Sequence, residues 1–242
     1  MLENKKYSIR FLDWDTEMFE KKSVKIILNE EILIEDLNNI KEYINNNDYE
    51  FITFENKNNL EKNNIILSNL NNIFLADVNI QFAKRIRAIE KKDRNDEVKI
   101  KNSFNYNEDI VNISKNAFKN SRFIFDDNLN DNKYNVYSEW VKNAFKKEDK
   151  YFCYYEEKKI LGYVLFSIHS NSITIELIAT KSNNKGIGTK LMNQIEEFAL
   201  KNNINTLNVG TQLNNLNAQN FYEKNGFKHI ANNSIYHWWI RR

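Results

Sequence analysis

The sequence of 242 residues contains no proline and only five glycines, where average usage would give roughly a dozen prolines and about seventeen glycines. This composition excludes collagen-like chains, proline-rich linkers and glycine/serine spacers. Hydrophobic residues make up 41% of the chain and aromatic residues 13%, enough to build a buried core, so wholesale disorder is excluded as well. We therefore expect a globular protein of one large or two small domains.

Neither sign of charge dominates, and long apolar runs are missing. The 35 Lys and Arg residues and 33 Asp and Glu residues give a formal charge of +2 and are interspersed, which argues against a nucleic-acid-binding surface. The N-terminus lacks the apolar segment of a secretory signal, and no apolar run approaches the roughly 18 residues that a membrane span needs. We expect a cytoplasmic protein without a membrane span or a nucleic-acid partner.

One cysteine and three histidines offer little for metal or thiol chemistry. Cys153 lies in the strand-like segment YFCYY, and we interpret it as a small core residue rather than a nucleophile. The histidines, His169, His229 and His237, are scattered and form no metal-ligand spacing with it. We therefore expect no metal.

The first ninety residues alternate between strand-like and helix-like patterns. Residues 32–44 place their apolar side chains on one helical face, whereas three short segments predict strands at 23–28, 51–54 and 73–80. The segment 88–97, AIEKKDRNDE, is almost wholly charged. We predict a junction there, between an N-terminal α+β lobe (1–90) and a second domain (97–242).

The second half has clearer periodicity. Its patterns predict an order of strand, two helices, three strands joined by short turns, helix, strand, helix and strand. The predicted bounds are 98–101, 107–118, 134–145, 151–155, 161–168, 172–180, a helix starting near 186, 204–209, 215–224 and 227–240. Because Trp238 and Trp239 alternate on the last strand, we expect one of them to face the core.

The most informative segment is 175–191, IELIATKSNNKGIGTKL, in which Gly186 and Gly188 separate an apolar strand from an amphipathic helix. Glycines at such a turn let backbone N–H groups point into a shared concavity, and the helix N-terminus adds partial positive charge, so the turn suits a phosphate. The dinucleotide fingerprint fails because Leu191 stands at its third glycine, and the P-loop fails because no G-K-[ST] follows. A glycine-rich connection without a ligand is the alternative.

A second pattern, N-x-x-A-x-x-x-Y-x-K-x-G-F, runs from Asn215 through Tyr222 to Phe227. With the glycine segment, it resembles the GNAT acetyltransferase superfamily. The resemblance implies an α/β (α+β) fold with a mixed central sheet that splays apart, preceded here by a smaller, partial-GNAT-like α+β lobe. It also implies acetyl-CoA as cosubstrate and N-acetyltransferase activity.

The resemblance assigns residues to the acetyl-CoA site. It implies backbone contacts to the pantetheine arm from Ile178 and Ala179, a cofactor hydrogen bond from Asn215, and protonation of the departing CoA thiolate by Tyr222. A pyrophosphate cradle is implied at Asn184, Lys185, Gly186, Ile187, Gly188 and Thr189. The chain departs from the family at Asn183, where Arg or Gln is usual.

Two catalytic roles have structural alternatives. The phenol of Tyr222, with an ordinary pKa near about 10, is protonated at neutral pH and can serve as the acid, but it can also be a packing aromatic at a helix–sheet contact. Backbone N–H near Ile178 would polarise the thioester carbonyl. Glu176 is our candidate base, acting through water, and a solvated strand side chain is its alternative.

Segments outside the GNAT core, among them FLDWDTEMFEKKSVKI, AFKNSRF and SIYHWWIRR, look like the dTDP-fucosamine acetyltransferases. Those enzymes acetylate the 4-amino group of a nucleotide-linked 4-amino-4,6-dideoxyhexose. The likeness implies a small-molecule acceptor, an amino sugar on dTDP or UDP, and a role in cell-surface polysaccharide synthesis. Other amines (a peptide N-terminus, a polyamine, an antibiotic) and a non-catalytic acyl-CoA-binding module are the alternatives, and the oligomeric state, homodimer included, stays open.

Three residues are candidates for the acceptor side. The guanidinium of Arg122 offers a bidentate fork to a diphosphate or carboxylate, with an ordinary surface arginine as its alternative. Trp14 and Phe19 either line the acceptor cleft or fill the core of the N-terminal lobe.

Overall fold

The computed structural model describes residues 2–3, 5–87, 97–102, 104–119, 121–181 and 186–240. The strands in these ranges are β1 (Leu2–Glu3), β2 (Tyr7–Phe11), β3 (Ser23–Leu28), β4 (Phe51–Asn56), β5 (Ile73–Arg85), β6 (Val98–Asn102), β7 (Lys150–Glu156), β8 (Ile160–His169), β9 (Ser172–Thr180), β10 (Thr206–Gln212) and β11 (Lys228–Trp239). The α-helices are α1 (Asp13–Phe19), α2 (Ile34–Asn46), α3 (Glu61–Leu67), α4 (Glu108–Ala117), α5 (Val136–Ala144), α6 (Ile187–Lys201) and α7 (Leu216–Lys224). Two 3₁₀ helices cover Lys57–Asn59 and Asp131–Asn135.

These strands form one mixed sheet in the order β1-β2-β3-β4-β11-β5-β10-β9-β8-β7-β6. Strand β5, although it comes from the first ninety residues, lies between β11 and β10 and pairs antiparallel with both. The predicted division into 1–90 and 97–242 stays a prediction, and its junction falls mainly on residues 88–96, outside the described ranges.

Strands β9 and β10 separate part of the way along. They pair in parallel only between Ser172–Ile175 and Thr206–Val209. Beyond that point β9 stays paired with β8 as far as Thr180, and β10 stays paired with β5 as far as Gln212. The two strands therefore diverge, and the predicted mixed sheet with a central splay is confirmed.

An extra residue in β9, Glu176, lies at the start of this divergence. Leu165 pairs with Leu177 and Phe166 with Ile175, so Glu176 has no cross-strand partner in the β8 ladder. An extra residue reverses which face the following side chains occupy. Ile175 accordingly packs in the core beside α6, whereas Leu177 packs in the core beside α4 and α5. The bulge thus places Ile178 on the α6 side, where it is half-buried.

Helices cover both faces of the sheet. On one face α6 and α7 pack over the C-terminal strands, and α2 and α3 pack over β2–β4. On the other face α4 and α5 pack against β7–β9, while α1 and the segment 123–136 pack against β4 and β11. Each of these four contacts has a buried apolar cluster. Within the described residues, no helix combines the length and the apolar character needed to cross a membrane.

Candidate active site

The N-terminal end of α6 is built by two glycines. Gly186 precedes the helix with φ 72°, in the left-handed region that glycine adopts without strain. A Cβ at Gly188 would lie 3.0 Å from the ring of Phe221 on α7, so this glycine lets the two helices approach closely. The first hydrogen bond of the helix joins the Lys190 N–H to the Gly186 carbonyl, so the three N–H groups before Lys190 project from the helix end.

This helix end has the electrostatics of an anion site. The first turn of α6 contains no acidic residue, so the positive end of the helix dipole is not neutralised locally. The implied cradle residues Ile187 and Thr189 lie in that turn. The other implied cradle residues, Asn184 and Lys185, and the divergent Asn183 lie outside the described residues.

The backbone of β9 runs from the splay to this helix end. Ile178 and Ala179 pair with Val164 and Tyr163 of β8 on one edge. The opposite edge of β9 is not paired with β10 beyond Ile175. A strand edge of this kind can hydrogen-bond an extended ligand that carries amide groups.

Tyr222 lies on α7 with only 3% of its surface exposed. Its ring contacts Phe82 of β5, Phe221 and Phe227, with centroid separations of 5.7, 5.5 and 5.7 Å. Burial raises the pKa of the Tyr222 phenol, so the hydroxyl keeps its proton at neutral pH. The residue is thus a packing aromatic at a helix–sheet contact, and its role as acid stays a prediction.

Asn215 begins α7. Its Oδ1 accepts a hydrogen bond from the Ala218 N–H at 3.2 Å, which satisfies one of the free donors of the first turn. A side-chain hydrogen bond from Asn215 to a cofactor, as the resemblance implies, would therefore come from its Nδ2 group.

Glu176 is held in an ion pair. Its Oε1 lies 2.5 Å from the Lys150 Nζ, and the two side chains are only 12% and 16% exposed. The alternative interpretation of Glu176, a solvated side chain on a strand, is therefore wrong. A base at this position would act with Lys150 as its bonded neighbour, and that role stays a prediction.

Arg122 follows α4 and is half-buried, so it is not an ordinary surface arginine. Its guanidinium lies 4.3 Å from the ring centroid of Phe123, and its Nε is buried without a hydrogen-bond partner among the described residues. Burial raises the pKa values of Asp15 and Asp77, and the positive charge of Arg122 offsets only part of that effect. Arg122 thus lies near two desolvated carboxyl groups.

Trp14 and Phe19 belong to one apolar cluster on α1. Phe19 is buried and packs against Phe51 and Phe123, so it is a core residue, in a cluster that the first ninety residues share with the second half of the chain. Trp14 is half-buried against the same cluster, and a role in binding the acceptor stays a prediction for it. Trp238 and Trp239 are both buried, on opposite faces, because the sheet is covered on both sides.

The structure gives Cys153 the surroundings of a core residue. Cys153 is fully buried, and burial raises the pKa of its thiol, as a core residue requires. The described part of the chain contains no group of three or more His, Cys, Asp and Glu residues placed to hold a metal.

His237 forms a buried pair that the sequence analysis missed. Its Nδ1 lies 2.7 Å from Oδ2 of Asp126, which also accepts a hydrogen bond from the Trp239 indole at 3.1 Å. Burial lowers the pKa of His237 to about 4, against the opposing effect of Asp126, so the imidazole is neutral at pH 7. Neutral His237 therefore donates from Nδ1, and its Nε2 carries a lone pair. Only the alternation in SIYHWW, which places His237 and Trp239 on one face, was visible in the sequence.

Polar side chains continue from His237 across the middle of the same face. Thr53 on β4 stands directly opposite His237 on β11, and the register then places Asp77, Asn79 and Gln81 of β5 on this face, next to Gly210 of β10. We call this row, Thr53, His237, Asp77, Asn79, Gln81 and Gly210, the central trough. It begins between α1 and the segment after α4 and ends at the strand that borders the splay.

A cavity of about 350 Å³ lies elsewhere, between α4 and the start of α5, where Phe118, Ile124 and Tyr137 contribute to its wall. It contains none of the site residues predicted from the sequence. Polar side chains of α4, among them Ser114, Lys115 and Asn116, also line it, and we do not assign the site to it because no residue of β9, α6 or α7 contributes to its wall.

Comparison with known proteins agrees with this geometry. Residues 110–227 match the profile of the acetyltransferase (GNAT) family. Acetyltransferase PseH of Campylobacter jejuni subsp. jejuni (serotype O:23/36, strain 81-176) is 36% identical over 80 residues, 32% of this chain and 50% of that protein. The chain spans about half the length of the curated relatives it matches.

Solved structures show the fold over the whole chain. A functionally unknown conserved protein from Staphylococcus epidermidis ATCC 12228 is 13% identical with a TM-score of 0.71, covering 100% of this chain and 94% of that one. A GCN5-related N-acetyltransferase from Sphaerobacter thermophilus is 8% identical with a TM-score of 0.64, covering 98% and 78%. The splayed sheet, the glycine turn and these structures show that the chain has the GNAT fold, and its residues 110–227, just under half of the chain, are similar to the acetyltransferase (GNAT) family.

Proposed function

We propose that the protein transfers an acetyl group from acetyl-CoA to the primary amine of a small molecule. The observation that carries this proposal is the divergence of β9 from β10 beyond Ile175, which frees one edge of β9 just before the N-terminus of α6. An extended amide-containing arm suits the free edge, and a pyrophosphate suits the helix end. Few other ligands combine these two chemical groups in this order.

The residues present fit acetyl-CoA. The backbone of Ile178 points to the free edge of β9 and would hold a pantetheine amide, whereas the backbone groups of Ala179 point to Tyr163 of β8. The N–H groups of Ile187, Gly188 and Thr189 would hold the pyrophosphate. Gly186 supports this arrangement through its left-handed backbone, and the absence of acids from the first turn of α6 leaves the site positive. Acetyl-CoA supplies the activated acetyl group.

The chain's own residues then assist the transfer in three ways. A backbone N–H near Ile178 polarises the carbonyl as negative charge develops on its oxygen. Tyr222, kept protonated by burial, donates its proton to the departing sulfur. Glu176 receives the proton that the acceptor amine loses, through water and beside Lys150. The bulge at Glu176 supports the oxyanion contact because it sets the orientation of every residue that follows on β9, Ile178 included.

For the acceptor, we propose a dTDP- or UDP-linked amino-dideoxy sugar. This choice is supported by the likeness of segments outside the GNAT core to the dTDP-fucosamine acetyltransferases and by the position of Arg122, which stacks on Phe123 beside His237 of the central trough. Arg122 and Trp14 are the proposed acceptor contacts. A peptide, polyamine or antibiotic amine is the alternative within the same chemistry.

A free-thiol release assay tests both proposals, the transfer of the acetyl group to an amine and the identity of that amine. The full chain is incubated with acetyl-CoA and with dTDP- and UDP-linked amino-dideoxyhexoses, a polyamine, an aminoglycoside and a peptide. We expect thiol release with a nucleotide-linked amino sugar. Turnover of only the peptide or polyamine would exclude the sugar assignment. Binding of acetyl-CoA without release for any amine would favour a non-catalytic acyl-CoA-binding module.

A further inference from the structure

Three buried polar atoms lack hydrogen-bond partners within the described ranges: Thr53 Oγ1, Arg122 Nε and His237 Nε2. Folded proteins rarely leave such atoms unpaired, because each loses its bonds to water and gains nothing in return. His237 is 0% exposed and Thr53 is 2% exposed. Three atoms of this kind therefore require an explanation, especially if they share one place in the fold.

These atoms do share one place. Thr53 and His237 are directly opposed on β4 and β11, a relationship that puts their Cβ atoms about 5 Å apart on one face of the sheet. The guanidinium of Arg122 lies 4.3 Å from the ring centroid of Phe123, and that ring lies 6.0 Å from the ring of His237. In agreement with this position, the positive charge of Arg122 lowers the pKa of His237 and acts on the carboxyl groups of Asp15 and Asp77. We call the set Asp15, Thr53, Asp77, Arg122 and His237 the polar cluster.

The donors and acceptors of the polar cluster specify a type of ligand. Arg122 Nε–H donates, the lone pair of His237 Nε2 accepts, and the Thr53 hydroxyl does either. The carboxylates of Asp15 and Asp77 add acceptors. This combination of hydrogen-bond donors and acceptors is complementary to a small ring that carries several hydroxyl groups and an ammonium group.

The balance of charge disfavours a phosphate at this position. Arg122 is one cation beside two carboxylates, Asp15 and Asp77. The other cation that acts on Asp15, Lys25, is already bonded to Glu55 at 2.5 Å. Asp126 adds a third carboxylate behind His237. A phosphate would therefore meet more negative than positive charge here.

An aromatic side chain borders the polar cluster. Phe74 pairs with His237 across β5 and β11, with 5.6 Å between ring centroids, and 39% of it is exposed. An exposed ring beside buried hydrogen-bonding groups offers an apolar surface to the face of a sugar or to its methyl group. The central trough continues from there through Asp77 and Asn79 to Gly210, beside the splay.

We propose that the polar cluster is the subsite that holds the hydroxylated amino-sugar ring of the acceptor, with any phosphate groups lying outside it. The Nε2 of His237 accepts a hydrogen bond from the ring, Arg122 Nε donates one, and Asp15 and Asp77 face its ammonium or hydroxyl groups. This assignment rests on the proposed function only in naming the ring as part of the acceptor.

A binding experiment that needs no turnover tests the subsite. The chain has only three histidines, so histidine labelled with ¹⁵N in the ring gives three pairs of signals. Free 4-amino-4,6-dideoxy-D-galactose is added at millimolar concentration to the labelled full chain, and inorganic pyrophosphate is added to a second sample. We expect the His237 Nε2 signal to move with the sugar, and those of His169 and His229 to stay. No movement with the sugar, or movement with pyrophosphate alone, would overturn the proposal.

Variants of residues in the polar cluster test whether these residues bind the sugar. Thr53→Val keeps the shape of the side chain and removes its hydroxyl, and we expect it to weaken binding of the sugar about tenfold, as loss of one hydrogen bond does. His237→Asn keeps a donor toward Asp126 and removes the Nε2 lone pair, with the same expected effect. Arg85→Met, at the far end of β5, is the control and should bind normally. Unchanged affinity in Thr53→Val and in a folded His237→Asn would overturn the proposal.

The outcomes separate this subsite from the proposed function. If the sugar moves the His237 signal but no amine releases thiol from acetyl-CoA, the subsite holds and the enzymatic proposal fails. If a polyamine releases thiol and the sugar leaves all three histidines unchanged, the enzyme holds and the subsite fails.

Discussion

Gly210 on β10 lies directly against the side-chain amide of Asn79 on β5. A methyl group at position 210 would stand 2.5 Å from Asn79 Oδ1 and 2.9 Å from Gln81 Nε2. The amides of Asn79 and Gln81 hydrogen-bond to each other in this space. The absence of a side chain at position 210 is therefore what allows two polar groups to lie flat at the end of the central trough nearest the splay.

Gly210→Ala should impair use of the amine more than it impairs folding. The obstructing atoms are ends of flexible side chains, so the amides can move, and we expect the free energy of unfolding to change by less than about 1 kcal/mol. Their displacement into the trough should raise KM for the amine about tenfold. Steady-state kinetics and urea unfolding measure the two effects. In the double variant with Asn79→Ala the added methyl group has room, and a KM no lower than that of Gly210→Ala alone would contradict the steric explanation.

Tyr222→Phe should lower kcat by about 10² while acetyl-CoA binding changes little. The change removes the proton donor and keeps the ring contacts with Phe82 and Phe227. Kinetics and equilibrium binding of acetyl-CoA measure the two quantities. Tyr163→Phe is the matched control: it removes the hydroxyl of another buried tyrosine, bonded to Ser114 at 2.7 Å, and should reduce stability without reducing kcat. Full activity in Tyr222→Phe would remove the acid role from this residue.

Stability should fall as pH decreases from about 6.5 towards 4 because of His237. The folded state lowers the pKa of His237 to about 4, so the unfolded chain takes up the proton first and acid favours unfolding. The full contribution is on the order of 3 kcal/mol, present above the unfolded pKa. Asp126, whose pKa is lowered by His237 against the effect of burial, acts in the same direction at lower pH. Asp15 and Asp77, with raised pKa values, act in the opposite direction.

Urea titrations at several pH values give this profile. His237→Asn should flatten the fall between pH 6.5 and 4, whereas His229→Asn, which alters an exposed histidine, should leave it unchanged. An equally steep fall in His237→Asn would mean that other groups cause the acid sensitivity.

Asp77→Asn should raise the unfolding midpoint at pH 7. Burial raises the pKa of Asp77, so its contribution to stability is present below the unfolded pKa and lost as pH rises through the folded value. At pH 7 the charged carboxylate therefore opposes folding, because burial removes it from water. The neutral amide of Asn avoids this desolvation cost. We expect the same variant to weaken binding of the sugar. Thermal unfolding at pH 7 and at pH 3.5 checks the sign, because the difference from the parent chain should shrink in acid.

Asp36→Asn is the control of opposite sign. Although burial would raise the pKa of Asp36, its hydrogen bonds with Lys6 and the Leu33 N–H hold it below the usual value. Losing this carboxylate should lower the midpoint at pH 7. A fall in midpoint for both variants would indicate that replacing any aspartate disturbs the fold, and would remove the charge argument for Asp77.

The elements around the splay could be predicted from local patterns. Strand β9 was predicted with its observed bounds, since six of its nine residues are β-branched or leucine and its ends are polar. Helix α6 was predicted from the two glycines at its start, Gly186 and Gly188, and from the apolar stripe along it. Shorter elements were missed: β2, α1 and α3 have five, seven and seven residues, too few for a period to be distinguished.

The polar contacts at long range could not be predicted. In α3 the side chain of Asn63 is buried and bonds to the Ile32 N–H and to Asn56, so a polar residue occupies a core position. His237 and Asp126 are 111 residues apart in the sequence, and no spacing rule connects them. The bulge at Glu176 was equally hidden, because the consecutive apolar residues Leu177, Ile178 and Ala179 give no alternation from which a change of face could be recognised.

The position of β5 determines when this protein can fold during synthesis. The ribosome makes Ile73–Arg85 well within the first half of the chain, yet both neighbours of this strand, β10 and β11, are the last two strands to be made. Until they emerge, β5 has unpaired edges that can associate with other chains. Completion of the sheet must await nearly the whole chain, so we expect folding to be slow and largely post-translational. For the same reason, residues 97–242 produced alone would have β10 and β11 without the strand that joins them.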